Sequence, residues 1–78
     1  MSKFYFDVSE RKGSLTLDTI GADLPSEQIA MIAASKALLD IALDHILKAH
    51  EFQIGIIVRD EHGDEIGRRF ARFSGAES

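Results

Sequence analysis

Between Ser26 and Ala49 the apolar residues recur in two bands. Ile29, Ile32, Leu39, Leu43 and Ile46 follow alternating steps of three and four residues, with Lys36 in the one polar slot. Ala30, Ala33, Ala34, Ala37, Leu38 and Ile41 make a second band on nearly the opposite side. Steps of three and four keep residues on one face of a helix. The pattern therefore predicts a helix over about 26–49, roughly 35 Å long. Pro25 and Ser26 supply its start, because a serine can cap the orphan N–H groups and Glu27 suits the positive first turn. A helix apolar on both sides must be covered on both sides.

Outside this stretch the period changes to two. Phe4, Phe6 and Val8 alternate with Tyr5 and Asp7, which reads as a half-buried strand. The polar run 9–13 reads as a hairpin loop, and 14–18 returns as a strand with Leu15 and Leu17 inward. Residues 19–24 connect to Pro25. The run 52–60 is the strongest strand, with Phe52, Ile54, Ile56 and Val58 on one face and Gly55, Ile57 and Arg59 on the other. Residues 61–64 form a turn in which Gly63 can take positive φ. A fourth strand, 65–73, alternates untidily, and Gly67 marks a bulge within it. The tail 74–78 is expected to fray. The whole predicts one α+β domain over 1–78, ordered over about 3–73. Its order is ββαββ, a four-stranded, mostly antiparallel sheet with one long helix packed on one face.

Size sharpens the meaning of the two-banded helix. A 78-residue chain buries a modest fraction of its surface, and small scaffolds usually need a staple. Cysteine is absent, which removes disulfides and thiolate metal sites and fits the cytoplasm. Oligomerisation is the staple left, so a second copy of the chain is the expected cover for the second band. Periodicity leaves open which band meets the sheet, and the alternative is that the Ile/Leu band packs there with the alanines semi-exposed. The expected contact residues are Ile29, Ile32, Lys36, Leu39, Leu43 and Ile46. Lys36 would snorkel its charge to the rim of that seam. The net charge of −4 gives no global attraction to nucleic acid or anionic membranes. Strand-like sequence from Lys3 onward leaves no room for a signal peptide, and no apolar run is long enough to span a bilayer.

Other groups in the chain could carry chemistry. Arg68, Arg69 and Arg72 interleave with Phe70 and Phe73, a pattern that can stack and neutralise single-stranded nucleic acid. The charge balance favours an edge strand guarded by arginines, with the phenylalanines in the core. His45 and His50 are about 140° apart on a helix and His62 sits in a distant turn, so they read as surface histidines and not as a metal site. Asp40 and Asp44 are flanked by Lys36 and Lys48, and ion pairing along the helix accounts for them. The acidic run 60–65 lacks calcium-loop spacing and reads as a hairpin turn. No nucleophile with a readable base, no Gly-rich phosphate loop and no cofactor site can be found. The expectation is a non-catalytic domain without cofactor or metal.

Three segments together resemble a known pattern: Lys3-Phe4-Tyr5-Phe6-Asp7-Val8, then Gly21-Ala22-Asp23-Leu24-Pro25-Ser26 before the Ala-rich helix, then Val58-Arg59-Asp60-Glu61-His62-Gly63. Their order resembles a family of short bacterial proteins classed as a domain of unknown function, with an aromatic first strand, Gly-x-x-Leu-Pro, an Ala-rich helix and Val-x-Asp-x-x-Gly. The resemblance spans residues 3–73. It implies a small ββαββ domain and carries no activity, so it transfers no functional residue. The Ile/Leu band departs from the pattern. A second likeness, of fold alone, is to the antitoxin component of one class of toxin–antitoxin systems, whose Gly-Tyr strand pattern is missing here. It frames the alternative reading: a nucleic-acid-associated or antitoxin-like regulator using Arg68, Arg69 and Arg72.

Overall fold

The alternation in 52–59 forms the middle of a sheet. The computed structural model describes residues 1–11 and 14–75. Its elements run β1 (Ser2–Arg11), β2 (Ser14–Thr16), β3 (Ala22–Leu24), α1 (Glu27–Ile46), β4 (Phe52–Arg59) and β5 (Glu65–Phe73). The expected hairpin residues Lys12 and Gly13, and the tail residues 76–78, lie outside the described residues. The sheet order is β2-β1-β4-β5, with β3 also paired to β1. All pairs are antiparallel: Val8 sits opposite Ile56 in β1–β4, and Ile54 opposite Ala71 in β4–β5. The α+β architecture is as expected, with one strand more. β2 and β3 follow one another along β1, at Val8–Thr16 and Phe4–Ala22.

The helix lies across β4 and β5 and touches β3 lightly. Ala30, Ala34 and Leu38 are its buried residues, spaced by four along one face. They meet Phe4 from β1 and Ile54, Ile56 and Val58 from β4. Alanine lets the helix backbone come close to the sheet, so apart from Leu38 the large side chains of the core are supplied by the strands. Each fully buried Ile or Val contributes roughly 1.5–3 kcal/mol. Ser26 caps the start, its Oγ accepting the Ile29 N–H at 3.2 Å. The helix ends at Ile46, short of the expected Ala49. The N–H groups of Lys48 and Ala49 both donate to the His45 carbonyl there.

Two glycines are explained by geometry. Val58 lies opposite Gly67 but Arg59 opposite Glu65, so Ile66 is the extra residue of a bulge. A Cβ on Gly67 would stand 2.9 Å from the Met31 Sδ, which covers this spot from the helix. Gly63 has φ +89 in the β4–β5 turn, where the Asp60 carboxylate accepts the N–H groups of His62 and Asp64. The acidic run is thus a hairpin turn.

Leu15 and Leu17 depart from expectation. They are 52% and 59% exposed, not inward. β2 is a three-residue edge strand, and the helix covers the other side of the sheet. Alternation fixes which residues share a face; it does not say whether anything covers that face.

Candidate interaction surface

With Ala30, Ala34 and Leu38 on the sheet, the Ile/Leu band is turned outward. At 100° per residue the band centres almost opposite the buried alanines. Ile29, Ile32, Leu39, Leu43 and Ile46 are 40, 56, 65, 63 and 48% exposed. Lys36 in their middle is exposed, as are Asp40 beside it and Leu47 at the end. From Ile29 to Ile46 the apolar strip runs about 26 Å. A strip of that length on one chain is larger than the scattered apolar residues of an ordinary surface. Ala33, Ala37 and Ile41, the rest of the Ala/Leu band, are half-buried.

The helix charges do not form the expected ion pairs. Among the described residues, the ion pairs are Arg59–Asp7 and Arg68–Glu65, while His45 lies 3.5 Å from Glu10 and His62 3.9 Å from Glu61. Lys48 falls beyond the end of α1, which breaks its four-residue spacing from Asp44. Lys36 and Asp40 share a flank of the helix, both exposed, with no ion pair between them.

The last strand is an edge strand, as its arginines suggested, but its phenylalanines are not core residues. Phe70 is 59% and Phe73 43% exposed. Phe70 pairs with Gly55, and a Cβ on Gly55 would stand 3.0 Å from its ring. Phe73 stacks on Phe52 at 5.5 Å, and Phe52 meets His45 at 5.2 Å. Strand alternation also separates the three arginines. Arg68 and Arg72 share the face of Phe70, away from the helix. Arg69 lies on the helix side, beside Met31, Ile32 and Ile66. Arg68 is further held by the Glu65 carboxylate, at 2.6 and 2.8 Å.

The face away from the helix carries a polar network that sequence reasoning did not find. Asp7 and Arg59, 52 residues apart, form a two-point pair at 2.6 and 3.0 Å. The Asp7 side chain is only 4% exposed. Its Oδ1 also accepts the Asp18 N–H, and Arg59 donates to the Asp18 carbonyl. The Asp18 carboxylate accepts the N–H groups of Phe6, Ile20 and Gly21. Asp18 thus fills the gap between β2 and β3, taking a β1 backbone donor that a strand would otherwise satisfy. Arg59 also lies 5.0 Å over the Tyr5 ring. Among the described residues no buried side-chain nitrogen or oxygen of this network lacks a hydrogen-bond partner.

The Arg59 guanidinium holds the Asp7 carboxyl below its ordinary 3.8, against the opposing effect of burial. At Asp18 burial acts upward, and the N–H groups of Gly21, Phe6 and Ile20 with the Arg59 charge outweigh it, so that carboxyl is lowered too. Both are stronger acids folded than unfolded. As the pH falls the unfolded chain binds protons first, which favours unfolding. The network's stabilisation is therefore whole above about pH 5 and is lost below about pH 4, as the folded carboxyls protonate. Urea midpoints measured from pH 6 to pH 2.5 should fall steeply in the lower half. A flat profile would contradict these shifts.

The histidines are dispersed. His45 lies 3.5 Å from Glu10, His62 sits in the β4–β5 turn, and His50 is exposed. Among the described residues no three His, Asp or Glu side chains are grouped as a metal site would need. Among the described residues no helix is long and apolar enough to cross a membrane. An open depression of about 690 Å³ where β1 leaves β4, edged by Glu10, His45, Glu51 and Phe52, brings no convergent set of donors.

No curated protein and no solved structure matches the chain at a significant level. One family model does match, over residues 3–70, a span that holds the aromatic first strand, the Gly21–Ser26 segment, the helix and the Val58–Gly63 turn. The chain therefore belongs to the family described as Domain of unknown function (DUF6894).

Proposed function

We propose that this domain acts by protein association and not by catalysis, as a homodimer joined through the outer face of α1. The observation that carries this reading is the exposure of Ile29, Ile32, Leu39, Leu43 and Ile46 in one continuous strip. The side chains that hold α1 to its own sheet are different ones, so the strip is available to a second surface. A helix matched to a second copy of itself by alternating three- and four-residue steps packs at a shallow crossing angle, ridge into groove. The non-catalytic part of the proposal rests on the sequence, which has no cysteine and no Gly-rich phosphate loop. A cytoplasmic setting rests on the lack of cysteine alone.

Light scattering after size exclusion tests the reading. The expected mass at tens of micromolar is twice the 8.6 kDa of the chain. A monomer at that concentration would overturn it. The nucleic-acid alternative is less well supported. Arg69 faces away from Arg68 and Arg72, and Glu65 occupies Arg68, so of these three arginines Arg72 alone stands on the Phe70 face without a carboxylate partner.

A further inference from the structure

We infer that the two helices of the dimer run antiparallel, with the two-fold axis passing beside Lys36 and Leu39, and that Lys36 of each chain pairs with the partner's Asp40. The inference rests on the proposed self-association through the outer strip and adds its orientation.

The strip reads the same in both directions. Its residues 29, 32, 36, 39, 43 and 46 are separated by three, four, three, four and three. An antiparallel copy therefore meets it in register. Ile29 lies against the partner's Ile46, Ile32 against the partner's Leu43, and Lys36 against the partner's Leu39. Four of these six layers are aliphatic on both sides. In the two central layers the stem of Lys36 lies on leucine and its ammonium reaches the rim.

A parallel copy in register gives a different centre. Lys36 would then meet the partner's Lys36 in the middle of the apolar strip. Two like charges would be drawn out of water together, each with only its own chain's Asp40, a turn away, as counter-charge.

The flank decides the matter further. Asp40 lies one turn from Lys36 and about 40° around the helix, on the same side of the strip. A two-fold axis perpendicular to the helices keeps each flank on its own side. It brings the partner's Asp40 to within about 1.5 Å of Lys36 along the helix direction. Two symmetric Lys36–Asp40 pairs then close the centre of the interface. An axis along the helices exchanges the flanks and carries the partner's Asp40 to the far side. Both side chains are exposed in the single chain and unpaired to one another, so the pairing costs no existing ion pair.

Cross-linking separates the two orientations, because the chain has no cysteine of its own. Ile29→Cys and Ile46→Cys change exposed positions that the core does not use. Oxidising a mixture of the two variants should give a covalent dimer linking position 29 to position 46. Ile29→Cys alone should give none, since its two copies would lie about 26 Å apart, beyond disulfide reach. A covalent dimer from Ile29→Cys alone would establish the parallel pairing and overturn the inference. No cross-link in a mixture that light scattering shows to be dimeric would overturn it too, and place the interface elsewhere. A monomeric wild-type chain would instead overturn the self-association on which it rests. The charges have their own test. Lys36→Glu should weaken the dimer roughly tenfold, and Lys36→Glu with Asp40→Lys should recover most of the loss. A double variant as weak as the single one would refute the Lys36–Asp40 pairing.

Discussion

Leu43→Glu is expected to give a folded monomer. Leu43 is 63% exposed and is not among the buried residues that hold α1 to the sheet, so a carboxylate there stays in water in the single chain. Far-UV circular dichroism should change little, since surface substitutions away from special features usually shift the stability of a single chain by less than about 0.5 kcal/mol. The urea midpoint should fall, because the stabilisation supplied by the partner is lost. In the dimer the same carboxylate would be pressed against the partner's Ile32, and symmetry places it there twice. Burying a charge without a partner costs several kcal/mol, so the dissociation constant should rise by roughly a thousandfold or more. Light scattering at tens of micromolar should then find one chain. Leu39→Glu is the informative control: with antiparallel helices it faces the partner's Lys36, and its effect should be visibly milder. An unchanged dimer with Leu43→Glu would clear the outer strip of the role assigned to it.

Asp7→Ala is expected to destabilise the fold by about 3 kcal/mol, the lower end of the range for removing one partner of a buried ion pair. The carboxylate takes two bonds from Arg59 and one from the Asp18 N–H, and alanine leaves all three donors without it. Arg59 is partly exposed and can turn to water, which keeps the loss from reaching the upper end. For a chain of this length the whole unfolding free energy is about 4–12 kcal/mol. Thermal unfolding should accordingly move down by roughly 15 °C. Arg59→Lys should move it in the same direction, because an ammonium cannot reproduce the two-point geometry. Thermal melts of both variants measure this. A shift of only a degree or two for Asp7→Ala would mean that the network fixes the loop at 17–21 without stabilising the chain.

The fold was largely legible because its signals are local. The alternation in 52–59, the Ser26 cap and the placing of Gly63 and Gly67 each depend on a few neighbouring residues, and each is found where expected. What was not legible depends on partners far along the chain. β3 has three residues between Gly21 and Pro25, too few to show a period. Leu15 and Leu17 alternate properly, yet they face the side of the sheet that the helix does not cover. Asp7 and Arg59 become neighbours only when β1 is set beside β4, an order the sequence does not state. Asp18 did leave a trace. Asp18-Thr19-Ile20-Gly21 is an Asx-turn pattern, and the Asp18 side chain does accept the N–H groups two and three residues on. Of the surface, both bands of α1 were readable as bands; which one faced the sheet was not. Small alanines against large strand residues decide it, since Ala30 and Ala34 allow a close approach that Ile or Leu at those two positions would prevent.

That division of labour within α1 affects how such a domain can diverge. Residues 30, 34 and 38 are tied to the sheet, and a change there is felt throughout the core. Residues 29, 32, 36, 39, 43 and 46 are under no such constraint in the single chain. Descendants of this gene can therefore rewrite the outer face, and with it whatever partner that face takes, without disturbing the core. The scaffold would be inherited intact while the choice of partner drifts.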